Sequence, residues 1–63
     1  MEKFNELYAQ VFNEDNTVKL CGRYKCMELI ELAKTIEPNT NFGNIKTSFM
    51  NIENLINLHK KLN

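Results

Sequence analysis

The chain has no tryptophan, one histidine, one proline, two glycines and two cysteines, and its charges of the two signs cancel. Each scarcity excludes something. With Gly22 and Gly43 isolated from one another, there is no glycine-rich phosphate loop, no collagen-like period and no flexible linker. Cys21, Cys26 and His59 supply at most three zinc ligands, where a structural site wants four in paired short spacings. A Cys21–Cys26 bridge would close too short a loop to restrict the unfolded chain much. No metal or other cofactor is therefore expected, and Cys26 reads as a small core side chain. The only serine, Ser48, sits eleven positions before His59. On one continuous helix that is about 16 Å along the axis, which keeps the two from forming a catalytic triad with Asp15. The residue types for enzymatic catalysis do not converge, and a non-enzymatic protein is expected.

Eight Lys plus Arg balance eight Asp plus Glu, so the basic surplus of a general nucleic-acid binder is absent. A neutral chain also has little colloidal repulsion to oppose association with itself. No apolar run approaches the roughly 18 residues of a membrane span, and no charged segment followed by an apolar one marks a secretory leader. A cytoplasmic location is expected, without a membrane or small-molecule partner. Ten Asn, seven Lys and five Ile, all with A/T-rich codons, suit an AT-rich genome, bacterial or viral, and an accessory protein of a phage or mobile element is one origin that fits.

What is present is helical periodicity. Phe4, Leu7, Tyr8, Val11 and Phe12 recur at the spacing of one helix face, predicting a first helix over about 2–13. It stops at the turn-forming NEDNT, Asn13 to Thr17. Val18 to Leu20 alternate like a short extended segment. A second helix is expected over 23–36, with Cys26, Leu29, Ile30, Ala33 and Ile36 inward and Met27 and Leu32 flanking, closed by Pro38. The loop PNTNFGN, Pro38 to Asn44, holds one bulky apolar residue, Phe42, expected to tuck onto the core, and Gly43 is the natural place for a positive φ. A third helix is expected over 47–61, capped by Thr47 or Ser48. The fold class is thus all-α, a small three-helix domain formed by the whole of 1–63.

On the third helix Phe49, Ile52, Leu55, Ile56, Leu58, His59 and Leu62 span about half the circumference, with His59 near the middle of the arc. A core histidine held neutral is the expected state, bonded to a carbonyl or to the hydroxyl of Tyr8 or Tyr24, and acidification should then loosen the fold or a dimer. A domain of 63 residues buries only about 60% of its unfolded surface. Stripes this wide leave apolar surface over for another chain. The expected function is protein–protein binding, as a homodimer, adaptor or inhibitor, through Tyr24, Met27, Phe49, Ile52, Ile56 and His59. The alternative is a small dimeric helix-turn-helix-like DNA-binding regulator, with Asn51, Asn54 and Asn57 aligned at i, i+3, i+6 to meet adenine edges.

Overall fold

The computed structural model describes residues 2–19, 23–44 and 49–63, with the side chains of Arg23 and Tyr24 outside that description. In chain order the elements are α1 (Glu2–Val11), α2 (Arg23–Ile36), β1 (Gly43–Asn44), β2 (Phe49–Met50) and α3 (Ile52–Leu62). The three helices are those the periodicity predicts, but a small antiparallel hairpin accompanies them, so the all-α expectation becomes a mostly helical one.

In α1 the inward face carries Phe4, Leu7, Tyr8 and Val11, all buried, and Glu2 lies at the positive end of its dipole. The helix stops at Val11, two residues before the expected end, because the next segment turns back on it. Phe12 pairs antiparallel with Val18, and the Lys19 amide donates to the Val11 carbonyl at 2.7 Å. The NEDNT turn closes through Asn13 N–H to Thr17 O, 2.7 Å, and Asn16 N–H to Asn13 O, 3.0 Å. Asn16 adopts φ 68°, a left-handed conformation that asparagine tolerates better than most residues. The Asp15 carboxylate accepts from the hydroxyl and amide of Thr17, bonds that hold its pKa below the ordinary value. Val18 is thus extended as expected, while Leu20 lies outside the described residues.

The bounds of α2 match the sequence reading, with Leu29, Ile30 and Ala33 buried and Cys26, Leu32 and Ile36 packed half-buried against the same cluster. Phe4, Val11, Leu29, Ala33, Phe42 and Leu55 have no exposed surface, so every helix and the 37–44 loop contribute to one core.

The largest departure is at the start of α3. Phe49 and Met50 pair in register with Asn44 and Gly43, and the Asn51 amide donates to the Phe42 carbonyl at 3.0 Å. Those bonds keep residues 49–51 out of the helix. Asn51, at φ −83° and ψ 90°, is the N-cap, its side-chain oxygen accepting from Asn54 N–H at 3.1 Å. Thr47 and Ser48, the expected caps, lie outside the described residues. At the other end His59, Lys60 and Lys61 occupy the last turn, where the helix dipole favours positive charge.

Gly43 is where this hairpin tolerates no side chain. Its φ is +127°, and a Cβ there would run into the Phe49 carbonyl and lie 2.9 Å from the Met50 Cα. Gly43→Ala should cost about 2–4 kcal/mol through strain and backbone clash, read as a drop in the urea midpoint. An unchanged midpoint would mean that the hairpin does not form as described.

Candidate functional site

Two surfaces arise from this fold. The first lies where β2 runs into α3: Phe49 is 54% exposed and Ile52 is 40% exposed, and both belong to the apolar stripe from which a binding surface was expected. The exposure of Phe49 follows from its place in β2. A helical Phe49 would share the face of Ile52, Leu55 and Ile56, whereas β2 takes it out of that register and leaves its ring in solvent.

The second surface is a groove of about 500 Å³ between α1, the 13–19 turn and α3, with Tyr8, Phe12, Asn16, Lys19 and His59 among its walls. Three rings stack along it. His59 lies on Tyr8 with centroids 3.8 Å apart and planes 3° from parallel, and Tyr8 lies on Phe12 at 4.4 Å and 23°. Phe4 flanks both, its centroid 6.0 Å from Tyr8 and 6.3 Å from His59. The Tyr8 hydroxyl donates to the Asn16 side-chain oxygen at 3.0 Å, which uses the left-handed turn to satisfy a nearly buried phenol. Burial pushes the Tyr8 pKa up and that of His59 down. Lys19 is tied across the turn, its Nζ donating to the Ala9 carbonyl at 2.6 Å.

Beside the stack, Asn5 and Asn63 exchange side-chain amide hydrogen bonds of 3.0 and 3.1 Å, joining the first turn of α1 to the residue after α3. The Lys61 ammonium meets the Glu37 carboxylate at 2.5 Å, fastening α3 to the end of α2 and holding Glu37 below its ordinary pKa. Because Lys61 is largely exposed, water screens that pair and its stabilisation is small.

Of the six expected binding residues, Phe49 and Ile52 are exposed, Met27 is half-buried on α2, and Ile56 is half-buried against the core. Tyr24 opens α2, but its side chain lies outside the described residues. His59 is seven residues along α3 from Ile52, about 10 Å along the axis. It turns to α1, where its partner is the face of Tyr8 rather than the expected hydroxyl. The six are therefore not one patch, since His59 joins helices while Phe49 and Ile52 face outward.

The asparagine row expected to read bases is put to other use. Asn51 caps α3, and the Asn54 side-chain amide donates to the Asn41 carbonyl at 2.7 Å, tying the helix to the 37–44 loop. Only Asn57 of the three remains fully exposed. Among the basic residues, Lys25 pairs with Glu28 and Lys61 with Glu37. Among the described residues no three His, Cys, Asp or Glu side chains come together, and no helix is long and apolar enough to cross a membrane. No protein-family model, curated protein or solved structure matches the chain.

Tyr8→Phe keeps the three-ring stack and loses only the bond to Asn16, so it should cost no more than about 1 kcal/mol. His59→Ala removes the ring itself and should cost about 1–2 kcal/mol. Urea titrations of the two variants test that order, and a larger loss for Tyr8→Phe would show that the hydroxyl, not the stack, secures the groove.

Proposed function

We propose that this chain is a small non-enzymatic binding module whose partner is protein, and in the first instance a second copy of itself. The observation that carries the reading is the exposure of Phe49 and Ile52 at the hairpin–α3 junction. An aromatic ring and a branched aliphatic chain three positions apart are the side-chain types that anchor interfaces by filling a partner's hollows. The zero net charge supports a second copy as that partner, because two identical neutral chains meet without a charge penalty. A two-fold contact would place the same junction of each copy against the other. Docking to a different protein, as adaptor or inhibitor, would use the same anchors.

The mechanism is hydrophobic and steric. Covering a phenylalanine and an isoleucine contributes about 1.5–3 kcal/mol for each side chain fully removed from water. Neither side chain belongs to the buried core, so each can be changed with little effect on folding. Ile56 cannot serve in the same way, because it packs against that core.

Phe49→Asp and Ile52→Asp should each leave the urea midpoint within about 0.5 kcal/mol of the parent. Each should also weaken association by tenfold or more in sedimentation equilibrium, with little change between 50 and 200 mM salt. A parent chain that stays monomeric at millimolar concentration would overturn the second-copy reading. Binding to duplex DNA that collapses over the same salt range would instead favour the DNA-binding alternative.

A further inference from the structure

The small sheet has two outer edges, and they are not alike. In an antiparallel pair, successive residues of a strand turn their amide and carbonyl alternately toward the partner strand and away from it. The Asn51 amide bonds the Phe42 carbonyl, in step with Gly43 opposite Met50 and Asn44 opposite Phe49. The hydrogen-bonding groups of 42 and 51, and of 44 and 49, thus lie between the strands, while the N–H and C=O of Gly43 and of Met50 point outward. On the β1 edge the Gly43 amide is already engaged, donating to the Asn41 side-chain oxygen at 3.0 Å. On the β2 edge neither backbone group of Met50 makes a hydrogen bond among the described residues. Residues 49–52, Phe-Met-Asn-Ile, carry no charge and no proline, the usual means of blunting an exposed strand.

We propose that a second copy of the chain completes this edge, β2 lying antiparallel to the partner's β2 about a two-fold axis through the two Met50 residues, so that two small sheets become one of four strands. This contact rests on the second-copy reading above and fixes which atoms make it.

The occupant follows from symmetry. A two-fold axis sets each Met50 opposite itself, and its donor and acceptor both face out, so the N–H of each copy meets the C=O of the other and two bonds close together. Nothing charged in 49–52 of either copy opposes the approach. A two-stranded ribbon is marginal in water unless further strands or a helix support it, so widening the sheet also steadies the β1–β2 pairing.

The side chains agree with the backbone. Successive residues of a strand point to opposite faces, and Met50 packs against the core, so Phe49 belongs to the other face, where its ring is 54% exposed. With Met50 opposite the partner's Met50, Phe49 stands opposite the partner's Asn51. The two Phe49 residues then become diagonal neighbours, about 7–8 Å apart and within reach of one another as aromatic side chains. Pairing therefore satisfies the outward peptide groups of Met50 and brings an exposed ring beside its own image.

A chain this short is accessible to total chemical synthesis, which allows the Met50 nitrogen to be methylated with every side chain kept. The change removes one outward donor and places a methyl group on the edge, and it spares the β1–β2 bonds because this nitrogen takes no part in them. In sedimentation equilibrium the N-methyl chain should associate about tenfold or more weakly than the parent. In a mixture of labelled and unlabelled parent chains, isotope-filtered NMR should show the α-proton of Phe49 close to the α-proton of the partner's Asn51. A parent dimer without that contact overturns the edge pairing, as does a dimer that the N-methyl group leaves intact, and either result leaves the second-copy reading to rest on side chains alone. A parent chain that stays monomeric at millimolar concentration overturns both. If the N-methyl chain does not fold, the contact between copies of the parent decides the matter unaided.

Discussion

Phe42 has no exposed surface, and its own carbonyl accepts the amide of Asn51. Placing that ring in the core and keeping that one bond brings residues 42 and 51 together, and next to them Gly43 and Asn44 pair antiparallel with Met50 and Phe49. Gly43 makes the pairing possible, because its φ of +127° and the close approach of the Phe49 carbonyl leave no room for a side chain. The start of α3 is thereby set at Ile52, with Asn51 as its cap and Asn54 bonded to the Asn41 carbonyl. A buried ring in a loop thus determines where a helix begins, and through that which apolar residues face water.

At the other end of α3 the constraint is aromatic. Phe4 and Tyr8 on α1 and Phe12 directly after it line one side, and the turn at Asn13 to Thr17 brings Asn16 back to satisfy the Tyr8 hydroxyl. With the phenol bonded there, the face of the ring is what His59 meets. The two ends of α3 consequently differ in kind: one leaves Phe49 and Ile52 outside, and the other closes on α1 through a group whose charge depends on pH.

Much of this was legible in the residues. The periodicities of Phe4 to Phe12 and of Cys26 to Ile36 gave the inward faces of α1 and α2, and Phe42 was marked as a core plug by being the one bulky apolar residue in its loop. The NEDNT turn and the positive φ at Gly43 were equally visible, because asparagine, aspartate and glycine act on the backbone next to them. By contrast, Phe49 read as helical because Ile52, Ile56 and His59 continue its spacing, and periodicity cannot register a hydrogen bond to a residue nine positions earlier. Asn51, Asn54 and Asn57 read as a row for the same reason, although a cap and a long-range tie engage two of them.

The sequence by itself determined three helices, their inward faces and the neutrality of the whole, since these depend on local backbone preference, side-chain spacing and a sum of charges. Only the tertiary structure decided that the last helix begins at Ile52, that Phe49 lies outside and that His59 seats on Tyr8. Each of those outcomes rests on a contact between residues distant in the chain. The geometry of such contacts is set when the elements pack, where burying Phe42 and pairing the Asn51 amide outweigh a further turn of helix.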